Sequence, residues 1–553
     1  MVNSAPRLMT LTGVLFLLVG IILPTTATDL PAVTIPSLGT VTGAISRDGP
    51  GIGVYKAIPY AKAPVGDLRF QPPVSHGPFL NGKINGTRFG ATCMQWTTQV
   101  AKQSEDCLFL NVAAPLAAKP GDNLSTLVWI HGGAYVDGSS NMYHGDSLVA
   151  RSKNTVVVVT LNYRLNIFGF LGGTEVARRS SDHGMGNFGI QDQREAMAWV
   201  QQHIGAFGGN PDDVTIFGES AGGNSVYNHL AQKASFQYYH KAIIESGVYD
   251  EGAQTAANAE QLYETILSKA SCITLDCLVK MSASDLLALT KVALPMGSRN
   301  AKVTPWGPVV DGISLSATPE QLIAAKKYND RVPIMIGSNR DEMAFWSLSS
   351  LQHNASEQTF DLWMESHGIV GKTLDEIKVV YGTSSYMYPQ NLGNLSVWWW
   401  KLTRAVTDSV PGLGACGVRN VARLLTANGE SNRFAYLFAH PTQSPFIPLP
   451  GDGPGSVTVG HATEIPYVYG YPSPILNSGE EEELAQSMSL YWLNFCKTGD
   501  PNGEYLPAKF PHYDSSTDRV MRFNTHSEGG IRAQSNLRKT ACDWQDKHRV
   551  PLK

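Results

Sequence analysis

The chain has 553 residues, of which 43% are hydrophobic, so it can bury a large core within one large α/β domain or two to three smaller ones. Its formal net charge is -4, and no basic arm or polybasic patch stands out. This composition argues against nucleic acid or an anionic membrane surface as a partner.

The N-terminus predicts a secretory signal peptide. Arg7 precedes the apolar run Leu11–Leu23, and the small residues that follow place the expected cleavage after Ala27. The run is shorter than the roughly 20 residues that cross a bilayer, which disfavours a signal anchor. No second candidate span or lipidation signal follows. We therefore expect removal of residues 1–27 and a secreted or secretory-lumen protein without a membrane anchor.

Seven cysteines fit an exported chain, and the odd number leaves one thiol unpaired. Spacing favours the pairs Cys93 with Cys107 and Cys272 with Cys277, and leaves open a third, Cys416 with Cys542, that would tie back the last segment. Cys496 lies in a helical run without a cationic neighbour, so we expect a buried apolar thiol there. Four N-glycosylation sequons also suit export. They begin at Asn85, Asn123, Asn354 and Asn394.

Hydrophobic patterning along the chain predicts a largely parallel sheet. The stretch 41–60 has the alternation and the Gly and Pro residues of short antiparallel strands. Later apolar runs are typical of strands buried on both faces. These runs are 127–130, 155–161, 214–217, 241–246, 332–337 and 434–438. A helical apolar face over 191–204 separates two of them. Strands that alternate with helices predict an α/β fold with helices flanking the sheet.

Long, mostly helical insertions are expected at about 256–326 and 356–433. No internal repeat or low-complexity linker separates them from the strands. The sequence therefore predicts one domain over residues 28–553.

The pattern Gly-Glu-Ser-Ala-Gly at 218–222 follows an apolar strand and precedes a helical stretch. Ser220 at its centre has the surroundings of a nucleophile elbow, a sharp turn that exposes a serine hydroxyl. Gly218 and Gly222 lack a Cβ, so strand and helix can approach closely while the serine backbone holds a strained conformation. A simple Gly/Ser turn remains the alternative unless the other groups of a hydrolytic site are present.

Acyl transfer also needs hydrogen-bond donors where negative charge develops on the substrate oxygen. The sequence His131–Tyr135, His-Gly-Gly-Ala-Tyr, follows the strand 127–130. The backbone N–H groups of Gly132 and Gly133, with that of Ala221 after the nucleophile, would form a three-donor oxyanion hole.

The chain resembles the type-B carboxylesterase family of α/β-hydrolases, which includes cholinesterases, carboxylesterases and fungal lipases. The ordered motifs that carry this resemblance span almost the whole mature chain. They are Ala57–Ala61, Gly66–Phe70, Ser104–Asn111, His131–Gly133, Leu161–Arg164, Gln191–Gln193, Phe207–Pro211, Gly218–Gly222 and Asn494–Asn502. The resemblance implies an α/β-hydrolase fold and a serine esterase that acts on small-molecule esters. It implies neither a cofactor nor a metal ion, and oligomeric state is left open.

The same resemblance selects the partners of Ser220 from fourteen histidines and many acids. His461 matches the family's catalytic-histidine loop, although Ala462 stands where glycine is common. Glu342 matches the position of the catalytic acid. Asp341 is the rival, and its side chain should point elsewhere on a short turn. The order serine, acid, histidine is the one expected of this fold.

These roles predict a general-base mechanism with an acyl-enzyme on Ser220. Because His461 must be neutral to accept a proton, activity should fall as the pH drops through the histidine range, around 6 to 7. Other motif residues are expected to be structural. The resemblance implies that Arg69 with Glu105 and Arg164 with Asp192 form buried ion pairs, and we expect Ser246 to support Glu342.

The first cysteine loop bears on the substrate. In lipases of the family the corresponding loop is a long lid, and in cholinesterases it carries a tryptophan that stacks on quaternary ammonium. Here Cys93 and Cys107 enclose only thirteen residues. Trp96 lies just after the first cysteine, so the ammonium-binding role is not transferred to it. We therefore expect a general carboxylesterase acting on soluble esters.

Several alternatives stay open at this point. A secondary-metabolism enzyme could use the same site for lactone opening or acyl transfer, and a lipase would act on emulsified esters. A non-catalytic adhesion protein is less favoured, because such relatives have lost the serine or a partner.

Overall fold

The computed structural model describes most of the chain after the predicted signal peptide, which lies outside the described residues. The described ranges are 30–49, 51–97, 102–249, 252–292, 305–344, 347, 353–382, 388–389, 391–409, 412–427, 432–442, 457–471, 476 and 478–549.

Sixteen strands are present in the described part of the chain. They are β1 (Ala32–Ile35), β2 (Gly39–Thr42), β3 (Ala44–Ile45), β4 (Ile52–Pro59), β5 (Lys83–Asn85), β6 (Phe109–Pro115), β7 (Leu124–Ile130), β8 (Val156–Leu161), β9 (Gly209–Glu219), β10 (Lys241–Glu245), β11 (Gln254–Thr255), β12 (Val309–Val310), β13 (Ile334–Asn339), β14 (Arg433–Phe438), β15 (Val520–Phe523) and β16 (Arg532–Gln534). Eleven of them form the central sheet, in the order β16-β15-β14-β13-β10-β9-β7-β8-β6-β4-β3.

The middle of this sheet is parallel, and its margins are antiparallel. Strands β8, β7, β9, β10, β13, β14 and β15 each run parallel to the next. Strands β6, β4 and β3 on one side and β16 on the other pair antiparallel. The predicted largely parallel α/β sheet is confirmed.

Both faces of the sheet are covered, as the continuous apolar runs predicted. Every residue of β8 is buried. Because side chains alternate along a strand, Val157 and Val159 pack in one large core cluster while Val156 and Val158 pack in the other. The two clusters therefore lie on opposite faces of the sheet.

Helices cover these faces. They are Gly145–Arg151, Asn166–Phe170, Thr174–Arg179, Phe188–His203, Ala221–Ala231, Ala256–Ala270, Leu275–Lys280, Ala283–Val292, Pro319–Ala324, Glu357–Ser366, Lys372–Val380, Val397–Thr407, Ala415–Thr426, Ile465–Tyr469, Gly479–Thr498 and Lys539–His548. The helix expected over 191–204 is observed as Phe188–His203. In the described residues, no helix has the length and apolar content to cross a bilayer.

Three disulfides join the cysteines as spacing allowed: Cys93 with Cys107, Cys272 with Cys277 and Cys416 with Cys542. The last bond ties the helix Lys539–His548 to the helix Ala415–Thr426. Cys496 is free and buried, and burial raises the pKa of its thiol to about 12. Three disulfides are consistent with a secretory-pathway or extracellular protein.

The two predicted ion pairs are present and buried. Arg69 Nη2 lies 2.5 Å from Glu105 Oε2, and Arg164 Nη2 lies 2.7 Å from Asp192 Oδ1. The Arg164 side chain also donates to the Gln71 carbonyl. Both guanidinium groups are held by more than one acceptor, which compensates the cost of burying their charge.

Strand register brings several predicted residues to one edge of the sheet. In the parallel stretch Ile130 is paired with Gly218, and Glu245 is paired with both Glu219 and Gly337. The carboxyl ends of β7, β9, β10 and β13 therefore meet side by side. Ligands of open α/β sheets bind at this edge.

Candidate active site

Ser220 occupies a strained turn between β9 and the helix Ala221–Ala231. Its backbone has φ 57° and ψ -124°, a region that non-glycine residues rarely adopt. The flanking glycines allow this turn because there is no room for a side chain. An ideal Cβ on Gly218 would lie 2.5 Å from the Ile130 carbonyl oxygen, and one on Gly222 would lie 1.9 Å from it. Ser220 is therefore held at the sheet edge by close packing of strand and helix.

His461 lies between Ser220 and Glu342. Its Nε2 is 2.7 Å from Ser220 Oγ, and its Nδ1 is 2.6 Å from Glu342 Oε2. The three residues come from chain segments 119 and 241 positions apart. With Nδ1 facing the carboxylate, Nε2 is the nitrogen that faces the serine hydroxyl.

Glu342 is fixed by two further donors. Ser246 Oγ donates to Glu342 Oε1 at 2.6 Å, and the Asn339 backbone N–H donates to the same oxygen at 2.6 Å. Ser246 follows the carboxyl end of β10, so strand register places it here. The carboxylate is fully buried and accepts a hydrogen bond on each oxygen.

Asp341, the rival acid, points away from His461. It pairs with Arg340 at 2.9 Å and with Arg404 at 2.7 Å, and it accepts from the Val459 backbone N–H. Burial would raise the pKa of Asp341, but the arginines outweigh this and lower it. The contact with Val459 ties the acid turn to the segment that leads into His461.

Two of the three residues expected to supply oxyanion donors, Gly132 and Ala221, adjoin the serine, and Gly133 follows Gly132 in the chain. An ideal Cβ on Gly132 would be 3.0 Å from Ser220 Cβ, so the Gly132 backbone is adjacent to the nucleophile. Ala221 is the first residue of the helix after Ser220. In the described part of the chain, the N–H groups of Gly132, Gly133 and Ala221 have no protein acceptor.

His131 supports this loop. It is buried, stacks on Tyr163 with ring centroids 4.4 Å apart, and its Nδ1 lies 2.8 Å from the Gly132 carbonyl oxygen. Burial lowers its pKa to about 4. His131 is thus neutral at physiological pH and donates to the carbonyl of the peptide that precedes Gly133.

Comparison with protein-family models decides the family. The model described as "Carboxylesterase family" matches residues 29–545. The chain belongs to the carboxylesterase family. It is a carboxylic ester hydrolase with the α/β-hydrolase fold.

The chain is also similar to individual esterases and to solved esterase structures, in agreement with this family assignment. An acylcarnitine hydrolase of Mus musculus is 33% identical over 486 residues, which cover 83% of this chain and 81% of the relative. A cocaine esterase of Homo sapiens is 31% identical over 497 residues, covering 86% and 84%. The crystal structure of a Geobacillus stearothermophilus carboxylesterase at pH 6.2 has a TM-score of 0.76 and 30% identity, covering 93% of this chain and all of that one.

This carboxylesterase carries three further buried glutamates at the edge of the sheet where the candidate site lies. Glu219 Oε1 lies 3.2 Å from His461 Nε2, Glu464 accepts from Asn339 Nδ2 at 2.5 Å, and Glu245 accepts from Trp492 Nε1 at 2.7 Å. Burial raises the pKa of all three, that of Glu464 to about 7. Sequence reasoning missed this cluster. Glu219 was detectable, because it lies inside the elbow motif.

The histidine of this carboxylesterase responds to these charges. Burial by itself would lower the pKa of His461, but the carboxylates of Glu219 and Glu342 outweigh it and raise the pKa to about 9. The histidine range of 6 to 7 expected from the sequence is therefore too low for this site.

Proposed function

We propose that the carboxylesterase hydrolyses soluble carboxylic esters through an acyl-enzyme on Ser220, with His461 as base, Glu342 as its orienting acid, and Gly132, Gly133 and Ala221 as the oxyanion hole. One observation carries this proposal: His461 bridges Ser220 Oγ at 2.7 Å and Glu342 Oε2 at 2.6 Å.

The geometry supports a two-stage reaction. His461 Nε2 takes the proton of Ser220, whose Oγ forms a bond to the ester carbonyl carbon while the carbonyl oxygen gains negative charge. The tetrahedral intermediate collapses, the C–O bond to the alcohol breaks, and His461 returns the proton to that leaving oxygen. Water then repeats the sequence on the acyl-enzyme, which releases the acid and restores Ser220.

In this proposal, backbone N–H donors stabilise the negative charge that develops on the substrate oxygen. Each donor of an oxyanion hole is typically worth about 2.7 to 4 kcal/mol in the transition state. Glu342 stabilises the imidazolium that forms when His461 accepts the proton. These contributions arise only as charge develops, so they accelerate the reaction rather than only tightening substrate binding.

The short disulfide loop supports soluble esters as substrates. Cys93 and Cys107 are 14 positions apart, and Trp96 Nε1 donates to Thr290 Oγ1 at 2.8 Å. This hydrogen bond orients the indole toward the helix Ala283–Val292. A lipase with a long lid and a choline esterase are accordingly less favoured.

The remaining alternatives are distinguishable. Lactone opening and acyl transfer use the same groups, so acceptor alcohols that compete with water would reveal them. An adhesion protein would need no intact triad, whereas here the nucleophile, base and acid lie within hydrogen-bond distance.

Export belongs to the same proposal: residues 1–27 would be removed, and residues 28–553 would form one secreted domain. All four sequon asparagines, Asn85, Asn123, Asn354 and Asn394, are exposed. Exposure is what a glycosylated secreted chain requires.

Hydrolysis of p-nitrophenyl esters of increasing acyl length tests the proposed function. Wild-type enzyme should hydrolyse the soluble short-chain esters, and Ser220→Ala should lower kcat at least about 10⁴-fold. A sharp rise in turnover only when a long-chain triglyceride passes its solubility limit would instead favour a lipase.

A further inference from the structure

The first residues after Cys93 are hydrogen-bonded to the glycine-rich loop that follows β7. Trp96 N donates to the Val136 carbonyl at 3.3 Å, and Thr97 N donates to Asp137 Oδ1 at 2.7 Å. We call residues 95–97 the brace. The brace is therefore hydrogen-bonded to the same loop that contains Gly132 and Gly133.

Gln95 makes the closest connection between the two loops. The residue is 1% exposed. Its side-chain amide both donates a hydrogen bond to the Gly138 backbone and accepts one from it. Nε2 donates to the Gly138 carbonyl at 3.1 Å, and the Gly138 N–H donates to Oε1 at 3.1 Å. The second N–H of the amide donates to the Cys93 carbonyl at 3.1 Å. The Gln95 amide therefore links the backbone of Cys93 to the backbone of Gly138 through hydrogen bonds.

Gly138 in turn packs against the oxyanion loop. Its backbone has φ 106°, and an ideal Cβ would lie 2.4 Å from the Gly132 carbonyl oxygen and 2.6 Å from His131 Nδ1. The turn is closed by Val136 N and Asp137 N, which donate to the Gly133 carbonyl at 3.0 and 2.9 Å. A shift of Gly138 therefore displaces the peptide units whose N–H groups face the substrate.

We propose that Gln95 is a positioning residue for the oxyanion hole, and that the brace, residues 95–97, holds that hole in place. This inference rests on the proposed role of Gly132 and Gly133. The brace acts through Gly138 and touches no reacting atom. Oxyanion donors are effective only when they are held in place before the charge develops, so a loosened loop lowers transition-state stabilisation more than substrate binding.

The test uses Gln95→Met, which keeps the volume of the buried side chain and removes its three hydrogen bonds. With p-nitrophenyl butyrate, kcat should fall about tenfold to a hundredfold while KM changes less than about threefold. Affinity for a trifluoromethyl ketone should fall by the same factor as kcat, because its Ser220 adduct places an oxyanion in the hole. Affinity for the unfluorinated ketone should not change.

Gln201→Met is the matched control. Gln201 Nε2 also donates to two backbone carbonyls, those of Pro211 and Tyr238, but Pro211 lies at the end of β9 remote from Ser220. This variant should keep wild-type kcat and ketone affinity even if its melting temperature falls. A similar loss of kcat in both variants would mean that Gln95 contributes only to stability, and the inference would be wrong.

Two outcomes separate this inference from the proposed function. If Gln95→Met keeps full kcat and ketone affinity while Ser220→Ala is inactive, the brace does not position the hole but the esterase mechanism stands. If Ser220→Ala keeps its activity, the proposed function itself fails.

Discussion

Glu219 Oε1 lies 3.2 Å from His461 Nε2, the same nitrogen that faces Ser220 Oγ at 2.7 Å. A buried carboxylate at this position favours the protonated imidazole, and it is the largest of the charges that raise the pKa of His461. The residue next to the nucleophile therefore opposes the neutral form of the base.

The pH profile should report this relationship. Protonated His461 cannot accept the serine proton, so kcat/KM should keep rising between pH 7 and the His461 pKa of about 9. Glu219→Gln removes the charge that most strongly favours protonated His461. The midpoint of the pH dependence of kcat/KM should therefore move down toward the ordinary histidine pKa of 6.5. Glu482→Gln, on the exposed side of the helix Gly479–Thr498, is the control. An unchanged midpoint in Glu219→Gln would contradict this assignment.

Ser246 should matter for catalysis although it touches no substrate atom. Ser246→Ala removes one of two donors to Glu342 Oε1, so the carboxylate holds His461 less firmly. We expect kcat/KM to fall about tenfold, equivalent to about 1.4 kcal/mol. Ser489→Ala deletes another buried hydroxyl, whose bond stays within its own helix, and should leave kcat/KM unchanged. Equal effects of the two substitutions would rule out a specific role for Ser246.

Breaking a buried ion pair should cost stability. Asp192→Asn leaves the Arg164 guanidinium without its anionic partner, and both side chains are at most 3% exposed. The free energy of unfolding should fall by about 3 to 5 kcal/mol, measured from the urea midpoint. As a control, Lys372→Ala removes one partner of an exposed ion pair within a helix. This substitution should change the free energy of unfolding by less than about 1 kcal/mol. A loss as small as this in Asp192→Asn would contradict the buried-pair interpretation.

The long and the short disulfide should contribute unequally to the stability of the fold. Cys416 and Cys542 are 126 positions apart, whereas Cys272 and Cys277 are 5 apart. Loop-closure entropy predicts a loss of about 5 kcal/mol when both cysteines of the long bridge are replaced by alanine, and about 2 kcal/mol for the short bridge. Thermal unfolding of the two double variants measures the difference. Equal losses would show that chain entropy is not what the long bridge limits.

Local sequence was sufficient for the sheet and the elbow. The runs that became β7, β8, β9 and β10 have mostly apolar centres without polar alternation because both faces are covered, and this pattern is visible without tertiary information. The two glycines around Ser220 likewise report a steric need of the turn itself. Such features depend on near neighbours in the chain.

The partners of the serine required more than local pattern. His461 is 241 positions from Ser220 and 119 positions from Glu342 in the sequence, and only the family motif selected these two residues among many candidates. Gln95 and Glu464 were missed because a single buried amide or carboxyl has no periodicity. Their environments arise only when the strand ends and loops are packed together.

Reaction with a fluorophosphonate, read by intact-mass and peptide mass spectrometry, tests the central claim most directly. We predict one phosphonyl group per chain, attached to the peptide that contains Ser220, no adduct in Ser220→Ala, and strongly slowed labelling in His461→Ala. Ester hydrolysis that persists while Ser220 stays unlabelled, or stoichiometric labelling of another residue, would contradict the account.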